Sequence, residues 1–368
     1  MRTIDKVENV FILGAGASVE AGAPLMNNFM DISRELLKNI EPSNAFFANG
    51  EIEHLMSVLS KLQTANAKGN IDIYNIESIL GALEMAEILD IELLGDKKFN
   101  LKSSYLKMIY YTLTKRMVFK LDDMSPIGIS AHDSINTFTD LFDGMLKDSA
   151  ILTFNYDMGL DVALSSKLID YSYYLDEKDS GFPLLKLHGS LNWFNTLENN
   201  VKAILLEDLL FKKRTSPDQK NIALDFVDYI RSYDSMKIKE RVPFIIPPTW
   251  NKTMFHAQIS SVWQAAASCL KNAQNIYVIG YSFPQTDMFF KYLYSLGTLG
   301  DSVIKRFWVF DKYPENLADR FKENLIGSQL IKSDRFKSFG CEFSNVKSEL
   351  MKRLNINPNT YFDVKQLL

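Results

Sequence analysis

Short, mainly apolar runs alternate along this chain with longer stretches in which apolar residues recur every three or four positions. The apolar runs are Val10–Leu13, Ala150–Phe154, Leu184–Leu187, Asn275–Ile279 and Arg306–Phe310, with Val242–Pro248 as a further strand ended by its own prolines. Runs of this length with no polar alternation predict strands buried on both faces, which is the habit of a parallel sheet. The three-to-four periodicity predicts helices over Leu25–Ile40, Glu51–Thr64, Asn75–Leu89, Leu101–Leu121, Ser260–Asn272 and Thr286–Leu296. In the first of these, Phe29, Ile32, Leu36 and Leu37 share one stripe.

Strands alternating with helices imply an α/β fold with a doubly wound parallel, Rossmann-like sheet. Two stretches interrupt the alternation. Residues 46–122 read as helices without a strand between them, a helical insertion. Residues 195–242 mix polar and apolar positions and include the basic run Lys212-Lys213-Arg214, read as a solvated face of a second insertion. The expected organisation is therefore one domain over residues 1–345 carrying both insertions, then a C-terminal tail over 346–368.

In doubly wound sheets, ligands sit beyond the carboxyl ends of the strands. The residues just past each apolar run are thus the candidates for chemistry: Gly14–Ser18, Asn155–Asp157, His188-Gly189-Ser190, Gly280-Tyr281-Ser282 and Asp311. Gly14-Ala15-Gly16-Ala17-Ser18 has almost no side-chain bulk between a strand and a helix. That arrangement lets backbone approach a pyrophosphate, with helix N–H groups facing it. Its spacing departs from the dinucleotide fingerprint G-x-G-x-x-G, and a tight strand–helix turn without a ligand has the same appearance.

Composition narrows the classes. The chain has 368 residues, 46% hydrophobic and 23% charged, with a formal charge of −4. This is an ordinary globular balance, and it argues against a chain whose task is coating nucleic acid. Two cysteines, Cys269 and Cys341, are too few for a four-cysteine zinc module or a disulfide framework. No apolar run approaches the roughly 20 residues needed to span a bilayer. The N-terminal residues carry no secretion signal. A cytoplasmic protein without membrane attachment is expected.

Five segments, in order, resemble the sirtuin family of NAD-consuming enzymes. GAGAS (14–18) with AGAP (21–24) is similar to the family's glycine loop. TFNYD (153–157) resembles its T-Q-N-I-D, keeping Thr153, Asn155 and Asp157 while Phe154 replaces Gln. LHG (187–189) resembles the motif with the catalytic histidine, GYS (280–282) the G-T-S segment, and FDKYPE (310–315) the strand followed by I-N-x-E-P. The resemblance covers the α/β core and neither insertion. The wording KLHGSLNW and IGYSFPQTD looks most like bacterial sirtuin-like proteins of anti-phage defence, several of which hydrolyse NAD.

What the resemblance implies is an NAD hydrolase that splits the nicotinamide–ribose bond to deplete NAD on infection. Asn155, His188 and Asp157 would be its catalytic residues. Gly14, Ala15, Gly16, Ser18, Pro24, Thr153, Gly280, Ser282 and Asp311 would hold the dinucleotide. Asn155 can orient water or ribose, and His188 suits a general base because an imidazole ordinarily titrates near neutrality. Asp157 would face the carboxamide of nicotinamide, and Asp311 stands where the family has an asparagine at the ribose. The resemblance also implies a homo-oligomer and a HerA-type ATPase as partner. The four-cysteine zinc domain of protein-deacylating sirtuins is a departure, since two cysteines cannot build it, and no zinc or other metal is expected. NAD-dependent deacylation, ADP-ribosyl transfer and non-catalytic sensing of NAD or ADP-ribose are the alternatives. Phe283–Asp287 reads as a chain break followed by a helix cap, not as catalytic.

Overall fold

The structure is a computed structural model that describes residues 4, 7–40, 46–65, 68–69, 71–93, 99–176, 178–204, 206, 221–222, 242–246, 258–284 and 287–356. The strands, in chain order, are β1 (Asn9–Leu13), β2 (Phe119–Leu121), β3 (Ile129–Ser130), β4 (Ser149–Thr153), β5 (Tyr171–Ser172), β6 (Phe182–Lys186), β7 (Trp193–Asn195), β8 (Val201–Ala203), β9 (Asn221–Ile222), β10 (Asn275–Ile279), β11 (Arg306–Asp311) and β12 (Phe336–Gly340). Among the described residues, seven of them form one sheet in the order β12-β11-β10-β1-β4-β6-β5. Every neighbouring pair in it is parallel. β1 is central, β4 follows on one side, and the chain later crosses to β10 on the other. This is a doubly wound parallel α/β sheet, with its switch in direction at β1.

The apolar runs explain the centre of this sheet. All five residues of β1, β4 and β10 are buried. Successive side chains point to opposite faces, and register aligns Phe11 with Tyr277 and Tyr277 with Trp308. Their rings form a cross-strand row, 5.0 Å from Phe11 to Tyr277 and 5.8 Å on to Trp308. On that face Phe138, from the helix Asp133–Thr139, meets Phe11 edge-on at 5.8 Å. Phe307, one residue earlier in β11, faces the other way. It packs on Tyr294 and Phe321, from the helices Met288–Gly297 and Pro314–Asn324. Both faces are therefore covered, as a parallel sheet requires.

The stretch 46–122 contributes the helices Glu51–Ala65, Ile76–Ile88 and Leu101–Arg116. The last stops five residues short of the expected Leu121. Its carboxyl-terminal residues become β2, which pairs antiparallel with β3 and β9. Val118 and Phe119 are β-favouring residues that suit this extended pairing. β7 and β8 make a separate antiparallel pair.

The expected strand Val242–Pro248 does not join the main sheet. Ile245 makes an isolated antiparallel bridge to Gly189, and Pro247 and Pro248 lie outside the described residues. So do the basic run Lys212–Arg214 and most of 195–242. Several elements have no counterpart in the sequence reading, among them the helices Asp133–Thr139, Gly159–Ser166 and Pro314–Asn324, the edge strand β12, and the helix Val346–Leu354, which buries Val346, Leu350 and Met351. No helix among the described residues is long and apolar enough to cross a membrane.

Candidate functional site

The switch point of the sheet opens into a cavity of about 560 Å³. Its floor is the turn after β1. There the backbone of Gly14 and Gly16 interlocks with the loop after β10: Gly14 N–H donates to Ile279 O at 3.1 Å and Gly16 N–H to Gly280 O at 2.9 Å. A Cβ on Gly14 would lie 2.6 Å from the Tyr281 Cα, and one on Gly16 2.7 Å from the Gly280 Cα. Gly280 itself has φ +58°, and its Cβ would fall 2.6 Å from the Ala17 nitrogen. Glycine at these positions is a demand of close backbone approach. The Gly14 and Gly16 N–H groups are taken up by this interlock, unlike that of Ala15. Its N–H has no hydrogen bond among the described residues.

Of the residues singled out from sequence, Gly14, Ala15, Gly16, Ser18, Pro24, Asn155, Asp157, His188, Gly280, Ser282 and Asp311 all line this cavity. They come from five strand ends far apart in the chain. Thr153 is not in the lining. It is buried behind it, where its hydroxyl accepts the Asn155 N–H at 3.1 Å and donates to Leu13 O at 3.3 Å. Trp193 and Phe194 are likewise buried and outside the lining.

A chain of hydrogen bonds fixes donor and acceptor roles at Asn155. Its Nδ2 donates to Gly14 O at 2.9 Å and to Ser18 Oγ at 3.0 Å, and Ser18 Oγ donates onward to Asp157 Oδ2 at 2.7 Å. A backbone carbonyl can only accept, so the amide nitrogen must face Gly14. The Asn155 Oδ1 is then the atom with no hydrogen bond among the described residues. The Asp157 Oδ1 accepts the Gly159 N–H at 2.9 Å. Burial pushes the Asp157 carboxyl above its usual range, opposed by the Lys186 charge and the hydrogen bonds from Ser18 and Gly159.

His188 is 4% exposed. Its Nε2 lies 3.2 Å from Asp287 Oδ1, and the Tyr281 hydroxyl donates to Asp287 Oδ2 at 2.9 Å. Phe154 stacks on Tyr281 at 4.3 Å with the rings 7° apart, and meets the His188 ring edge-on at 5.0 Å. Asp287 was expected to cap the following helix, but its side chain makes no capping hydrogen bond. Thr286 lies outside the described residues. The helix-start reading used a local cue, whereas the partner of Asp287 is brought to it from β6.

Lys186 is a second residue the sequence reading left unassigned. It is 1% exposed, and its Nζ reaches Asp161 Oδ2 at 2.7 Å, Asp157 O at 2.7 Å and Ser190 Oγ at 2.9 Å. Lysine inside the buried run LLKL is the available signal, since a fully buried lysine needs a partner. At the far rim, Asp311 Oδ1 accepts the Tyr313 N–H at 2.8 Å. The two cysteines lie apart in burial. Desolvation pushes the thiol of buried Cys269 up strongly, and that of half-buried Cys341 to about 11. Among the described residues no three His, Cys, Asp or Glu are placed to hold a metal.

No protein-family model matches the chain, and no curated protein matches it. Among solved structures it is similar to a Sir2 homologue–NAD complex at 13% identity and TM-score 0.40, covering 95% of this chain and 90% of that one. It is similar to a Sir2 homologue mutant bound to ADP-ribose at 13% identity and TM-score 0.40, covering 96% and 95%. A Sir2 complex with a p53 peptide and NAD+ follows at 10% identity and TM-score 0.38, covering 96% and 95%. Likeness of this degree carries no activity to this chain, whose chemistry rests on its own residues.

Proposed function

We propose that this chain is an NAD glycohydrolase, releasing nicotinamide and ADP-ribose. The observation that carries the reading is the meeting of the Asn155 amide and the His188 imidazole in one cavity, floored by the interlocked glycine turn at the sheet's switch point. The glycosidic nitrogen of NAD+ is already cationic, so its departure needs no general acid; sugar hydrolases, by contrast, commonly supply one with a second carboxyl group. In the step, the C1′–N bond breaks and its electron pair neutralises the nicotinamide ring. Water oxygen bonds to C1′, and the water proton passes to His188. Asn155 Oδ1 accepts from that water or from a ribose hydroxyl, while the amide nitrogen stays held by Gly14 and Ser18. Asp157 holds Ser18 and the Gly159 backbone in place and offers its remaining lone pairs to the carboxamide.

Asp311 would accept ribose hydroxyls, and the Ala15 N–H would face a phosphate oxygen. Gly280 and Ser282 would line the adenosine half, and Pro24 would contribute to the same cavity lining. A defence role, assembly into a homo-oligomer and gating by a HerA-type ATPase are part of the same proposal, supported by the motif resemblance. Gating would spare the host from its own NAD depletion.

Incubating the purified chain with NAD, alone and with such an ATPase, and reading products by mass tests the reaction. Nicotinamide and ADP-ribose in equal amounts are expected. Asn155→Ala and His188→Ala should each lower turnover by at least about 100-fold, while NAD still raises the melting temperature of both variants. Undiminished turnover in either variant would overturn the mechanism.

A further inference from the structure

We infer that Asp287, itself pinned by Tyr281, is a positioning residue that fixes which nitrogen of His188 receives the proton. The inference rests on the hydrolase reading for its kinetic consequence, but its geometry stands apart from it.

A neutral imidazole carries one N–H and one lone pair, and its neighbours decide which nitrogen has which. An ionised carboxylate can only accept. Asp287 Oδ1, 3.2 Å from Nε2, therefore requires the hydrogen there and puts the lone pair on Nδ1. The carboxylate is not free to turn away, because the Tyr281 hydroxyl donates to its other oxygen at 2.9 Å. Tyr281 is held in turn by Phe154, stacked on its face at 4.3 Å, and the same Phe154 edge limits rotation of the His188 ring.

Asp287 and His188 are both nearly fully buried, with side-chain exposures of 3% and 5%. A backbone carbonyl would satisfy one imidazole N–H at lower cost than a buried carboxylate. A carboxylate does more: it excludes the other tautomer and stabilises the imidazolium formed when Nδ1 takes a proton. That is the service an aspartate gives the histidine of a hydrolytic triad. Asp287 touches neither water nor ribose in this scheme, so its effect passes through His188.

The test reads the tautomer directly. Nitrogen-15 NMR of the four histidines, with His188 assigned by its loss in His188→Gln, should show an Nε2–H, Nδ1-lone-pair imidazole in the unaltered protein. In Asp287→Asn the amide NH2 can turn toward Nε2. The expected result is transfer of the hydrogen to Nδ1, with kcat falling on the order of 10^3–10^4-fold and the KM for NAD nearly unchanged. Asp287→Glu should restore the Nε2–H form and part of the rate. A merely structural aspartate would lower the melting temperature without moving the tautomer.

If Asp287→Asn does not fold, Tyr281→Phe carries the test, since it keeps the carboxylate but releases it. A mixture of tautomers and a lower kcat are then expected. An unchanged tautomer together with an unchanged kcat, in whichever variant folds, overturns the inference. If the unaltered protein consumes no NAD yet the tautomer moves with Asp287→Asn, the hydrolase reading fails and the positioning role stands.

Discussion

Lys186 carries a charge into a place where water cannot follow, and the two loops of the site hang on it. It is 1% exposed and its ion partner Asp161 is fully buried. Asp161 also accepts the hydroxyl of Tyr173, whose own titration burial drives well upward, and Asn192 donates to that hydroxyl at 3.0 Å. Through Asp157 O and Ser190 Oγ, Lys186 ties the loop after β4 to the loop after β6. Removing one member of such a pair strands the other charge, which costs about 3–5 kcal/mol, whereas replacing both with apolar groups is often neutral. Lys186→Met should therefore lower the free energy of unfolding in urea by about 3–5 kcal/mol. Lys186→Met with Asp161→Leu should recover much of that loss, and a double variant weaker than the single would reverse the account. At this scale the sequence exposes only part of the site. Asn155, Asp157 and His188 are legible because each directly follows a buried apolar run. Asp287 is not, since an aspartate before a helix carries a sufficient local explanation and its approach to His188 depends on the order of β6 and β10 in the sheet.

At the scale of elements, one buried side chain joins the first and last helices of residues 46–122. Glu51, in the first turn of Glu51–Ala65, reaches back to the Ala48 N–H at 2.7 Å and across to the helix Leu101–Arg116. There it accepts Ser104 Oγ at 2.7 Å and pairs with Lys107 Nζ at 2.9 Å. Burial pushes its carboxyl up, but the hydrogen bonds from Ala48, Ser104 and Lys107, with the Lys107 charge, prevail and hold it below its usual range. Glu51→Ala should cost about 2–3 kcal/mol in denaturant unfolding, as for buried hydrogen bonds to a charged group. A loss well under 1 kcal/mol (about the worth of an exposed pair) would show that the helices are held by Leu55, Val58 and Leu59 alone, all buried in the core. The periodic pattern announced these helices, and the apolar runs announced β1, β4, β6, β10 and β11. It missed β12 because FKSFG is an edge strand with one buried residue, and so lacks a continuous apolar run. It over-read VPFIIPP because an apolar run next to prolines packs as well under a loop as in a sheet; here Ile245 bridges to Gly189 and Ile246 N–H caps His188 O at 2.8 Å.

Over the whole molecule, the chain beyond β12 returns to brace the cavity opened by the turn after β1. Phe343 and Val346 line the cavity wall, the Ser344 N–H donates to Glu20 Oε1 at 3.1 Å, and Phe343 packs on Phe138 at 5.1 Å. Asp140 holds this arrangement together. It pairs with Lys167, at the end of the helix Gly159–Ser166, and with Lys347 of the C-terminal helix at 2.6 Å. Burial pushes the Asp140 carboxyl up, yet hydrogen bonds from both lysines and their charges hold it below its usual range. A carboxyl depressed in the folded state stabilises above its unfolded value and loses that contribution as pH falls through the folded one. Asp140→Asn should therefore melt a few degrees below the unaltered protein near neutral pH. The gap should close in acid, once Asp140 is protonated in both folded and unfolded states. Because the carboxylate is 40% exposed, added salt should also narrow the gap at neutral pH. Hydrogen exchange gives the location: amides of Val346–Leu354 should lose protection in the variant before those of β1 and β10 do. If the gap persists unchanged in acid and in salt, Asp140 acts through its shape and not its charge, and the C-terminal helix is held by Val346, Leu350 and Met351.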